Sequence, residues 1–211
     1  MISNPKKFIF IHIYKTAGSS VRSSLSPWVN QLSREKLLIN TLLHKSFNRM
    51  MFKDEQLLWK HAGASEYREF LGSEYEKFFT FSFVRNPFDW QVSLYEYLRK
   101  SKGHHLHKFA CQVSFKSYLK SCVAETIKTQ SEFLTDYSGN LIVDKIGKYE
   151  SLNDDFLSIT KKLNLSTTLP HLNKTIRSKC NYYYDEESED IILRNFKRDF
   201  ELFNYPKKIP E

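Results

Sequence analysis

The sequence predicts an α/β domain built on a mainly parallel sheet. Two observations predict it. The runs Phe8–Ile13 and Phe78–Val84 are largely β-branched and aromatic, as strands buried on both faces require. Each run leads into a helix-start signal, Gly18-Ser19-Ser20 after the first and Asn86-Pro87 after the second. Strands that alternate with helices fold as parallel units.

After the first strand, a helix is expected from Ser19 to Leu25, stopped by Pro27, and another over Leu32–Leu43. Ser65 to Leu71 reads as a short helix with Ser65 at its N-cap and Gly72 after its end. Asn86 as cap, Pro87 in the first turn and the early acid Asp89 open a longer helix that runs toward Gly103. Ser114 to Cys122 is also read as helical. Tyr137-Ser138-Gly139-Asn140 is a turn, and Leu141–Ile146 is the third strand. Ser151 and Asp154 start the next helix. Asp185 opens the last long one, with Ile192, Phe196, Phe200 and Phe203 on one side.

The 211 residues suit a single domain over 1–211 with a sizeable core. The hydrophobic fraction of 41% and the 17 Phe and 12 Tyr are a globular composition, not a disordered one. Six Gly and six Pro leave little for flexible linkers. The formal charge of +8 favours anionic partners. No nucleic-acid motif accompanies it, so no nucleic acid is expected as partner. No apolar run reaches bilayer-spanning length. The odd, widely spaced Cys111, Cys122 and Cys180 fit a reduced, cytoplasmic setting.

Lys15-Thr16-Ala17-Gly18-Ser19-Ser20 lies between a strand and a helix. Free N–H groups at a helix start and the helix dipole bind phosphate there. Lys15 adds a charge, Thr16, Ser19 and Ser20 add hydroxyls, and Gly18 permits close approach. An ordinary strand-to-helix turn is the plain alternative. Lys precedes the glycine, so this is not the GxxxxGK[ST] loop of nucleoside triphosphatases. Arg85 ends the second strand, where a parallel sheet places its ligand crevice, and is suited to grip a phosphate. A nearby carboxylate is the competing partner for Arg85. Ser93 follows two turns into the next helix.

Together these segments resemble the sulfotransferase family, in particular its carbohydrate branch and the bacterial relatives of that branch. The resemblance rests on Phe10-Ile11-His12-Ile13-Tyr14-Lys15-Thr16-Ala17-Gly18-Ser19-Ser20 and on Phe83-Val84-Arg85-Asn86-Pro87-Phe88-Asp89-Trp90-Gln91-Val92-Ser93. Ile146-Gly147-Lys148-Tyr149-Glu150-Ser151-Leu152 and Leu169-Pro170-His171-Leu172-Asn173-Lys174 also look familial. The chain has Tyr14 where relatives often have Pro, and Trp90 where many have Arg.

The resemblance implies a P-loop-like, three-layer α/β/α fold and the sulfate donor 3′-phosphoadenosine 5′-phosphosulfate (PAPS), with PAP as product. It implies that Lys15, Thr16, Ala17, Gly18, Ser19 and Ser20 hold the 5′-phosphosulfate and that Arg85 and Ser93 hold the 3′-phosphate. Sulfuryl transfer requires a general base and a cation near the bridging oxygen, and no metal. Lys15 fits the cation. His61, in Trp59-Lys60-His61-Ala62-Gly63-Ala64, resembles the family's base. His171 and Lys174 are candidate cofactor or acceptor contacts, and Lys60 a further anion contact. His12 is expected to be buried structure, and His104, His105 and His107 a polar loop that would help choose the acceptor if it lies over the cleft. The acceptor is a saccharide or a small hydroxylated metabolite. A P-loop-like nucleotide kinase or hydrolase, and a non-catalytic anion-binding module, are the alternatives.

Overall fold

The computed structural model describes residues 1–29, 61–123, 127–170 and 179–210. The helix expected over Leu32–Leu43 and the candidates Lys60, His171 and Lys174 lie outside them. A sheet of four strands runs in the order β1 (Ile2–Ser3), β2 (Phe8–Ile11), β3 (Phe79–Val84), β4 (Lys145–Lys148). β1 is antiparallel to β2, and the other neighbours are parallel. Register pairs Phe10 with Phe81 and Ile11 with Ser82, so β2 and β3 deliver their C-terminal ends side by side.

Period-two alternation sends the strand residues to opposite faces. Phe8, Phe10, Phe81 and Phe83 pack with Val21 and Leu25 of α1 (Gly18–Leu25) and with Phe156 and Ile159 of α7 (Leu152–Lys162). Ile9, Ile11 and Val84 face the larger core on the other side. That core includes Tyr67 of α2 (Ala64–Leu71) and Phe88, Trp90, Val92 and Leu94 of α3 (Pro87–Lys100). The sheet is therefore covered on both faces, which gives the expected three-layer α/β/α arrangement. Among the described residues no helix is long and apolar enough to cross a membrane.

α3 begins as its sequence predicts. The Asn86 side chain accepts from Phe88 N at 3.0 Å, Pro87 is in the first turn and Asp89 follows. It ends at Lys100, short of Gly103. Four expectations need correction. Ser65 does not cap α2: Gly63 holds that place, and its N–H donates to Glu66 at 2.6 Å. Ser65 Oγ instead donates to Thr135 O at 2.7 Å.

The third parallel strand is Lys145–Lys148, not Leu141–Ile146. Leu141 only bridges back to Thr135, and Asp144 uses its carboxylate to hold Thr80 N and Oγ1, at 2.7 and 2.8 Å. Asp144 thus meets β3 at Thr80 through its side chain, and regular ladder pairing with β3 begins only at Lys145. The helix read as Ser114 to Cys122 is α5 (Phe115–Tyr118), capped by Ser114, followed by a π-helical turn over Leu119–Val123. The single long C-terminal helix is two, α8 (Glu186–Asn195) and α9 (Lys197–Leu202), broken at Phe196. After that break the fully buried Asp199 accepts from Gln130 N and Ser131 N at 3.0 and 2.8 Å. These are the first N–H groups of α6 (Gln130–Leu134), which need a partner. α4 (His107–Gln112) completes the helices.

Candidate functional site

The loop after β2 reaches α1 through an uncommon backbone. Lys15 and Ala17 both have φ of 64°. A left-handed residue other than Gly costs roughly 1–2 kcal/mol, so the surroundings must hold it. Thr16 lies between them, fully buried, and its hydroxyl donates to Ile13 O at 2.8 Å. That hydroxyl proton is spent on the turn. No side chain caps the N-terminus of α1, and Ser20 N–H already donates to Ala17 O at 3.0 Å, so Gly18 N–H and Ser19 N–H are the ones suited to an anion. Ser19 is exposed and Ser20 buried on the first turn. Gly18 is needed for a local reason: a Cβ there would sit 1.8 Å from the His12 ring. His12 itself is buried just past the end of β2, as expected of a structural histidine.

The Arg85 motif is built differently. Arg85 is 5% exposed. Its Nε donates to Asp89 at 2.6 Å, its Nη2 lies 2.5 Å from the same carboxylate, and its guanidinium stacks 3.9 Å over the Tyr149 ring. Its backbone N–H donates to Gln130 Oε1 at 2.8 Å, and Gln130 Nε2 donates back to its carbonyl at 2.7 Å. Asn86 N donates to Glu150, whose other oxygen accepts from Tyr205 OH, both at 2.8 Å. Ser93 is buried on α3. The two motifs are joined directly: Arg85 Nη1 donates to Lys15 O at 3.1 Å.

Lys15 Nζ lies 4.4 Å over the ring of Tyr97, a half-exposed residue one turn after Ser93 on α3. Burial, then the charges of Arg85 and Lys100, push the Lys15 ammonium down to about 8. A site that disfavours its own cation gains when an anion enters. His61 Nδ1 is 2.9 Å from His12 O. A carbonyl only accepts, so Nδ1 carries a proton, and in the neutral form of the ring the lone pair is on Nε2. The His61 ring also meets His12 at 4.5 Å and the edge of Tyr14 at 5.7 Å.

The structure thus brings Arg85 against the Lys15 backbone and His61 against His12, near the C-terminal ends of β2 and β3. The nearby carboxylate expected to compete for Arg85 is Asp89, while its other holding residues carry no assignment in the sequence. Asp89 was detectable, four positions on and one helical turn away. Tyr149 and Glu150 stood within a recognised stretch without a role. Gln130 and Tyr97 gave no local signal. The histidine loop is occupied by its own contacts: His104 Nδ1 accepts from Leu106 N at 3.1 Å and its ring stacks on His105 at 4.4 Å. His107 Nδ1 donates to Leu98 O at 3.0 Å. Tyr97 meets His104 edge-on at 6.2 Å, which links that loop to the Lys15 end of the site.

The model of the Sulfotransferase family matches residues 1–206. No curated protein and no solved structure matches the chain.

Proposed function

The chain belongs to the sulfotransferase family, and on that premise we propose that it moves a sulfuryl group from PAPS to a hydroxyl of a saccharide or small hydroxylated metabolite. One observation carries this reading. The Arg85 guanidinium bonds the Lys15 carbonyl at 3.1 Å, so the anion loop and the second basic motif form one site. A donor with two separated phosphate positions needs such a site.

The residues present fit that donor. The uncapped α1 N-terminus and Lys15 suit a 5′-phosphosulfate. Arg85 retains guanidinium N–H groups beyond those given to Asp89 and Lys15, and with Ser93 it suits a 3′-phosphate. When bound, PAPS supplies a sulfuryl group on a phosphate that leaves readily. Lys15 provides the cation that the departing charge needs. His61, held as the Nδ1–H tautomer by His12 O, presents Nε2 to take the acceptor proton. The Thr16 hydroxyl serves by keeping the loop in shape. His171 and Lys174 remain proposed cofactor or acceptor contacts.

The test has a binding part and a turnover part. PAP at a hundred times its Kd should stabilise the protein by about 2.7 kcal/mol in thermal unfolding. Stabilisation by ATP but not by PAP overturns the reading. A PAPS-dependent screen of sugars and hydroxylated metabolites, read by mass spectrometry for an added sulfate, then identifies the acceptor.

A further inference from the structure

Tyr14, in the loop after β2, and Trp90, on α3, meet in the folded protein. Their rings stack at 5.1 Å and 22°. The Trp90 indole N–H donates to the Tyr14 carbonyl at 2.7 Å. Trp90 is fully buried on α3, wedged by Phe196 edge-on at 5.8 Å. Tyr14 is only half-buried, and its ring edges meet His61 at 5.7 Å and Phe133 at 5.7 Å.

This arrangement places a clamp on each of two successive carbonyls. Trp90 holds Tyr14 O, and Arg85 holds Lys15 O. Between them the backbone turns into the left-handed conformation of Lys15. A residue that prefers other φ values stays there only if its neighbours over-determine it. A proline at position 14 would fix its own φ covalently. Here an aromatic contact and one hydrogen bond do that work from a separate helix. The same Tyr14 ring touches His61, so one side chain bears on both groups assigned to the transfer.

We propose that Tyr14 and Trp90 are a positioning pair that sets the direction of Lys15 through the Tyr14 carbonyl and the orientation of His61 through the Tyr14 ring. The proposal rests on the reading of Lys15 and His61 as the transfer groups. Neither Tyr14 nor Trp90 acts on the reacting atoms. Stacked residues that act as a unit show strong coupling, because losing either one releases both.

The experiment compares Trp90→Phe, which keeps a ring in the core but deletes the indole N–H, with Tyr14→Leu, which deletes the ring. Each single variant should lower kcat about tenfold, as a small misplacement of reacting groups does, with PAP affinity nearly unchanged. The double variant should be no worse than the worse single. Tyr14→Phe, which keeps the ring, should recover most of the lost kcat. The His61 imidazole resonances, followed by NMR without any substrate, should move in Trp90→Phe although that residue is not itself in ring contact with His61. Losses that simply multiply in the double variant, or His61 resonances unmoved by Trp90→Phe, overturn the proposal. Should Trp90→Phe fail to fold, Tyr14→Leu at its half-buried position decides by kcat and by the same resonances. A wild-type protein that neither binds PAP nor transfers sulfate removes the proposed function, while the imidazole resonances still decide the pairing.

Discussion

Lys15 stands on a left-handed backbone beside an uncapped helix end, with its ammonium resting on a half-exposed tyrosine. Arg85, one strand away, is 5% exposed and held by Asp89, Tyr149 and Gln130. Both are cations at the ends of adjacent parallel strands, and they share a hydrogen bond. The first is destabilised in its own charged state, the second neutralised and over-supported. An anion entering the crevice therefore gains most at Lys15. The Arg85 motif serves the fold first, and its charge is offered only through the N–H groups that Asp89 and Lys15 leave over.

This contrast makes substitutions on the loop side costly to turnover and substitutions around Arg85 costly to stability. The largest effect is expected for His61→Ala, which removes the proposed base, the ring whose Nδ1 is held by His12 O. Turnover should fall about 10²–10⁴-fold with PAP affinity nearly intact. Unchanged turnover removes His61 from the chemistry. Lys15→Ala should lower kcat by about 10²–10³-fold and also weaken PAP, because it supplies both charge and binding. Normal values for both erase the distinction between the two cations.

Gln130→Ala tests the other region. It leaves the buried N–H and C=O of Arg85 without their partner, at a cost of about 3 kcal/mol in denaturant unfolding. A stability loss below about 0.5 kcal/mol, the range of ordinary surface substitutions, shows that the Arg85 motif is not held as described.

The pH dependence sharpens the comparison further. Lys15 titrates at about 8, so kcat/KM should decline as pH rises through that value and the ammonium is lost. Bound phosphate favours the charged form and raises that value again. PAP binding at pH values just above it should therefore take up protons, which calorimetry in buffers of different ionisation enthalpy measures. Lys15→Arg, always protonated, should abolish this alkaline decline. The smallest effect belongs to Tyr97→Leu. It removes a cation–π contact of about 0.5–1 kcal/mol, so PAP affinity should change by less than about fivefold.

The fold class, the helix start at Asn86 and the order of the two basic motifs are all legible in the residues. These depend on local signals: apolar runs of strand length, cap residues and charges at loop positions. The sequence also marked Lys15 and Arg85, whose positions after strands suit an anion, and His61 through the resemblance to the family. What it did not determine depends on atoms far apart in the chain. Leu141–Ile146 has the right composition for a strand, but Leu141 bridges to Thr135 and Asp144 meets β3 by its side chain, so ladder pairing starts at Lys145. Gly18 was read as room for a ligand, and only the fold puts the His12 ring against it. The Tyr14–Trp90 stack, the Gln130 clamp on Arg85 and the tautomer of His61 arise from long-range contacts that no window of sequence contains. Local patterns set which residues can do the chemistry, and tertiary packing set which of their donors and lone pairs remain to do it.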